Sequence, residues 1–131
     1  MAFTAKHRFA RIAPRKARLI MDLVRGRDVD DAISMLKFAK QRASGMVEKV
    51  IRSAVANANE QETANIRNTL YVAKAWVDPG PVIKRFQPKD RGKAYSIKKR
   101  TSHLVVTIDE REEGSTYRPK QVVGGRPGKA R

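Results

Sequence analysis

Residues 78–100, DPGPVIKRFQPKDRGKAYSIKKR, restrict this chain more than any other stretch. From Lys84 to Arg100 it holds eight cations, Lys84, Arg85, Lys89, Arg91, Lys93, Lys98, Lys99 and Arg100, against Asp90 alone, a formal +7. No core can take that density, because unpaired buried ions are prohibitively costly. Pro79, Pro81 and Pro88 interrupt the stretch, and Gly80 and Gly92 loosen it. Yet its flanks read as strands: LYVAKAWV over Leu70 to Val77, and HLVVTI over His103 to Ile108. Two strands joined by a long basic connection predict a projecting hairpin arm, about residues 78–103. With about eleven residues per leg, the arm would reach roughly 35 Å at 3.3 Å per residue. A globule of this length has a radius of gyration of only about 14 Å.

The rest of the charge sharpens the expectation. The whole chain carries +16 over 131 residues, with a sequence pI of about 10.8, which calls for a polyanionic partner. Residues 1–26 hold seven cations against Asp22, a formal +6, whereas residues 27–83 are nearly balanced, eight basic against seven acidic. A folded body with two basic contact surfaces fits that partition. No apolar run approaches 18 residues and no signal-peptide pattern is seen, so a membrane is not the expected partner and the chain is expected in the cytoplasm. Zero cysteines exclude disulfides and thiolate metal sites, and two isolated histidines make a histidine metal centre unsuitable. No cofactor or metal is expected. The carboxylates read as a capping pair, a loop pair and a tail cluster, not as the converging acid and base of an enzyme.

In order, Phe3 to Ile12 alternates, with Phe3, Ala5, His7 and Phe9 facing one way and Thr4, Lys6 and Arg8 the other: a half-buried strand with a basic outer face. Edge-strand cations often serve only to discourage aggregation. Beside Arg11, Arg15, Lys16 and Arg18 they read instead as phosphate contacts. Pro14 opens a helix, with Ala17, Ile20, Met21 and Val24 on one stripe, Leu19 and Leu23 widening it, and Gly26 as the stop signal. Arg15, Lys16 and Arg18 crowd its first turn, where the helix dipole disfavours cations. Asp28 or Asp30 is expected to cap a short helix over 31–38. A longer helix spans about 41–59, with Ala43, Met46, Val47, Val50, Ile51, Ala54 and Ala58 on its inner stripe. Gly45 costs that helix about 1 kcal/mol relative to Ala, and so marks a possible close crossing. Core packing is the default for Trp76, because base stacking needs exposure. His103 reads as a strand-surface residue. The segment 111–131, with Gly124, Gly125, Pro127 and Gly128, is expected to be an extended or disordered basic tail.

The predicted fold class is therefore α+β: a small three-stranded antiparallel sheet packed on about three helices, with a long projecting β-hairpin arm. Residues 1–110 form one domain including the arm. Candidate nucleic-acid contacts are Lys6, Arg8, Arg11, Arg15, Lys16, Arg18 and Arg25 in the body, and Lys84, Arg85, Lys89, Arg91, Lys93, Lys98, Lys99 and Arg100 in the arm. Ile83, Phe86, Tyr95 and Ile97 interleave with the arm cations, a pattern suited to unpaired bases and so to RNA more than duplex DNA. The alternative is a nucleoid architectural protein with a β-arm in the DNA minor groove, which would work as a tight dimer.

The order of elements and several motifs resemble the bacterial large-subunit ribosomal protein L twenty-two family. The carriers are Ala5-Lys6-His7-Arg8, Pro14-Arg15-Lys16-Ala17-Arg18, Asp22-Leu23-Val24-Arg25-Gly26, Ser53-Ala54-Val55-Ala56-Asn57-Ala58, and the return Lys99-Arg100-Thr101-Ser102-His103. Coverage is about residues 2–109. Ala13 stands where that family often has Ser, and Phe86 where an aliphatic side chain is common. The resemblance implies a non-catalytic constituent of the large subunit that binds and organises ribosomal RNA during assembly, beside neighbouring large-subunit proteins. It further implies an arm threaded through that RNA, whose tip, Ile83, Lys84, Arg85, Phe86, Asp90, Arg91 and Gly92, lines the exit tunnel and meets the nascent polypeptide.

Overall fold

The computed structural model of the chain describes residues 2–61 and 70–111. Its elements are β1 (Phe3–Ala10), α1 (Pro14–Val24), α2 (Val29–Phe38), α3 (Arg42–Gln61), β2 (Leu70–Pro88), a 3-10 turn (Asp90–Gly92) and β3 (Ala94–Glu110). The three strands form one antiparallel sheet in the order β1-β3-β2. The α+β class and the three-helix count match the sequence reading. The arm is the predicted hairpin: the two flanking strands continue outward, with β2 and β3 paired from Leu70↔Glu110 to Pro88↔Ala94.

The core lies between the helices and one face of the sheet. Phe3, Ala5, Val72, Ala75, Val77, Leu104, Val106 and Ile108 line the sheet side, and Ala17, Ile20, Met21, Val24, Val47, Val50, Ile51, Ala54 and Ala58 line the helix side. Fully burying side chains of this size is worth about 1.5–3 kcal/mol each, which outweighs weak local signals. Thus α1 forms although Ala13 gives it no side-chain cap and its first turn holds no acid. After α1, Arg25 and Gly26 take a type II turn. Gly26 sits at φ +80°, and the Arg27 N–H returns to the Val24 carbonyl at 3.2 Å.

Several expectations are corrected. Phe9 does not face the core: the β1–β3 register shifts between His7 and Ala10, and Phe9, at φ +58°, is 55% exposed. A bulge re-aims a side chain in this way. Leu19 and Leu23 do not widen the buried stripe; they face outward, because Ala17, Ile20, Met21 and Val24 alone meet the sheet. Trp76 is not core: it lies on the outer sheet face, paired with Val105, which in turn pairs with Lys6. Asp28 precedes α2 without a side-chain cap bond, its carboxylate being taken by Arg111 at 2.7 Å. That pair, with Arg111 also over the Tyr71 ring, ties the expected start of the tail to the body. Gly45 marks no close crossing, since a Cβ there would meet nothing within 4 Å. The rest of the tail, 112–131, lies outside the described residues.

Candidate nucleic-acid interface

The arm takes shape at its root. Thr101, Ser102 and His103 are consecutive on β3, the central strand, and each side chain ties down a different segment. The Thr101 hydroxyl donates to the Pro81 carbonyl at 2.6 Å, the buried Ser102 hydroxyl donates to the Ile12 carbonyl at 3.0 Å, and His103 Nδ1 accepts the Phe9 N–H at 3.0 Å. The Phe9 and His103 rings meet edge to face at 4.9 Å. A bulge on each outer strand thus faces this one triplet, with Phe9 on β1 and Gly80-Pro81 on β2. Gly80 is required here, because a Cβ would lie 2.5 Å from Thr101 Oγ1 and 3.2 Å from its carbonyl carbon. Sequence reasoning took Thr101-Ser102-His103 as a resemblance motif and missed its role. Small hydroxyl residues at a strand–arm junction were the available signal.

Beyond the root, every residue from Pro81 to Arg100 is exposed except half-buried Ile83 and Ile97. The register places Lys84 opposite Lys98 on one face and, on the other, Ile83 opposite Lys99 and Arg85 opposite Ile97. Cations therefore occupy both faces. Directly opposed like charges destabilise a ladder, so Lys84 and Lys98 act against the arm that carries them. The tip closes with Arg91 at φ +59° and Gly92 at φ +71°, as a type I′ turn needs, and Lys93 N–H donates to the Asp90 carbonyl at 3.4 Å. Lys89 Nζ lies 4.8 Å from the Tyr95 ring centroid. Phe86 is 73% exposed.

In the body the predicted cations divide. Lys6, Arg8, Arg11, Arg15 and Lys16 are exposed around the β1–α1 corner, which Ser102 holds against the arm root through Ile12. Arg18 and Arg25 are also exposed but are already engaged: Arg18 donates to the Val77 carbonyl at 3.2 Å, and Arg25 donates twice to the Ala75 carbonyl and pairs with Asp22 at 2.8 Å. These carbonyls lie on edge strand β2, so the two arginines extend the cover that segment 26–28 gives the same edge at Tyr71 and Val72. Among the described residues, ion pairs join Arg25 to Asp22, Arg52 to Glu48 and Arg111 to Asp28; none involves the arm or the corner. No group of three His, Cys, Asp or Glu could hold a metal, and no helix is long and apolar enough to cross a membrane, among the described residues.

A folded body that points a two-faced cationic arm outward, with its basic corner at the arm's root, defines a nucleic-acid-binding protein that works through an extension. The model of the family described as "Ribosomal protein L22p/L17e" matches residues 5–109, and the chain belongs to that family. It is 45% identical over 111 residues to the large ribosomal subunit protein uL22 of Bdellovibrio bacteriovorus, covering 85% of this chain and 100% of the relative. It is 49% identical over 109 residues to the uL22 of Lacticaseibacillus casei, covering 83% and 92% respectively.

Proposed function

We propose that the chain is a structural, non-enzymatic constituent of the large ribosomal subunit in the cytoplasm, and that it organises large-subunit ribosomal RNA through its arm. The observation that carries the reading is the pairing of Lys84 with Lys98 on one arm face and of Ile83 with Lys99 on the other. A ribbon laid on a surface needs charge on one face only. A ribbon with unpaired cations on both suits phosphates on two sides, as in a passage through folded RNA. Such an isolated, self-repelling ribbon is marginal in water, and phosphate neutralisation with counterion release stabilises it in the complex. Lys6, Arg8, Arg11, Arg15 and Lys16 extend the same track onto the body, whereas Arg18 and Arg25 serve it with whatever donors their strand contacts leave. Residues 1–110 act as one RNA-binding domain, with neighbouring large-subunit proteins alongside.

The tip, Ile83 to Gly92, meets the nascent polypeptide in this reading. Its support is position and chemistry: it ends in the turn that closes the arm, and it presents an exposed Phe86 on the strand leading into that turn and an exposed Arg91 within it.

The arm's role is tested by the salt dependence of binding to large-subunit rRNA. Replacing Lys84, Arg85, Arg91 and Lys93 together by Gln should reduce the slope of log K against log salt by about 3, at roughly 0.7–0.9 per phosphate contact. An unchanged slope would mean that the arm does not bind phosphate. A tight dimer preferring bent duplex DNA would favour the architectural alternative.

A further inference from the structure

The helices cover one face of the sheet. Among the described residues, no element lies on the other. Its rows follow from the register: Thr4, Thr107 and Lys74; Lys6, Val105 and Trp76; then, across the bulge, Phe9, His103 and Asp78. Thr4 and Thr107 share a hydroxyl hydrogen bond at 3.0 Å, and Val105 is 4% exposed beneath its neighbours. What stands proud is aromatic and cationic. Trp76 is 40% exposed and Phe9 55% exposed, with the Arg8 guanidinium 5.3 Å from the Phe9 ring centroid. Lys6 and Lys74 flank them and are exposed.

Trp76 is oriented as well as exposed. Its indole N–H donates to the Asp78 carboxylate at 3.2 Å, so the ring's polar edge is satisfied within the chain. A buried or docked Trp otherwise seeks a partner for that N–H. Here it asks nothing more of a ligand than contact with the ring. A flat aromatic surface, flanked by Lys6 and Lys74, matches an unstacked base with phosphates on either side. Asp78 is the acid in these rows, and the indole engages it. A protein partner would more naturally meet an apolar patch with balanced charge at its rim.

We propose that the outer sheet face is a second RNA-binding surface, on which Trp76 stacks an unpaired base while Lys6 and Lys74 meet the flanking phosphates. It rests on the RNA-binding reading above and adjoins the arm's track at Lys6, but its stacking rings lie on a face that the arm does not use. Trp76 and Phe9 stand on the two outer strands and one row apart, roughly 12 Å from each other at about 4.8 Å per strand spacing and about 3.3 Å per residue along the strand, so each ring takes its own nucleotide. The face therefore selects single-stranded or looped RNA over a duplex, whose bases stay stacked.

Trp76 is the only tryptophan in the chain, so its fluorescence reports on this face alone. The full-length protein is titrated with a short oligoadenylate at low salt, and binding is followed separately by anisotropy of the same RNA carrying a fluorophore. Saturable quenching is expected with oligoadenylate, with much weaker quenching by an RNA duplex or by inorganic polyphosphate. Trp76→Leu should lower oligoadenylate affinity by about tenfold, and Trp76→Phe should restore most of it, with the thermal midpoint of both variants near that of the parent. The proposal is overturned if the RNA binds without quenching, or if polyphosphate quenches as strongly. It is equally overturned if Trp76 becomes shielded only when large-subunit proteins are added. Binding without quenching would leave the arm's role standing, whereas loss of rRNA binding altogether would remove both.

Discussion

Strand β3 runs through two different regimes. From Leu104 to Ile108 all five residues are buried, on both faces of the sheet. From Ala94 to Arg100 none is buried, and only Ile97 is half-covered. The backbone ladder to β2 continues across both, so hydrogen bonding is not what separates them. The body's half is held by helices on one face and by the stems of Lys6 and Trp76 on the other. The arm's half has only its opposite leg, and that leg repels it. Backbone pairing therefore gives the arm its shape, while its stability depends on what surrounds it. The change occurs at Thr101, Ser102 and His103, where side chains reach across 20, 90 and 94 residues of sequence to fix the root.

If that comparison holds, substitutions should separate cleanly between the two regions. The largest effect belongs to the body: Ile51→Ala, at a fully buried site on α3, should cost about 2–5 kcal/mol in urea unfolding. Phe86→Ala in the arm should stay within about 0.5 kcal/mol; a loss comparable to that of Ile51→Ala would show that the arm belongs to the body's cooperative unit. Next comes the junction. Gly80→Ala pushes a Cβ into Thr101 and should cost about 1–3 kcal/mol through overpacking. Amide exchange should speed up at the root before it does in the core, and equal acceleration throughout would erase the distinction. The last effect has the opposite sign. Gly45→Ala on α3, with open space around it, should stabilise the body by up to about 1 kcal/mol and leave rRNA affinity unchanged.

Much of this was legible in the chain itself. The strand, three helices and paired strands follow from apolar period and punctuation: Pro14 and Gly26 bracket α1, and the stripe from Ala43 to Ala58 runs along α3. The misreadings have local causes. Phe9 fits an alternating strand until a bulge inserts one residue, and His103, which stabilises that bulge, lies 94 positions away. Leu19 and Leu23 are apolar at nearly the right angles, but the sheet is too narrow to cover them. Trp76 carries a large apolar surface, yet its strand position alternates outward and, among the described residues, no element packs above it. Arg18 and Arg25 look like the other cations in sequence. They differ because α1 crosses the edge of β2, and two strand carbonyls there lack strand partners.

The sequence by itself determined that residues 84–100 stay out of any core, because eight cations with one acid cannot be desolvated at any packing. It also determined the period of each helix and strand, since these depend on neighbours within a few residues. Only the tertiary structure decided where the arm begins, which of the basic residues are committed to the fold, and which aromatic rings stand outside it. Those outcomes rest on two bulges, one edge strand and three side-chain ties between distant segments. Each has an energy of a few hydrogen bonds and becomes possible only once β1, β3 and β2 lie side by side.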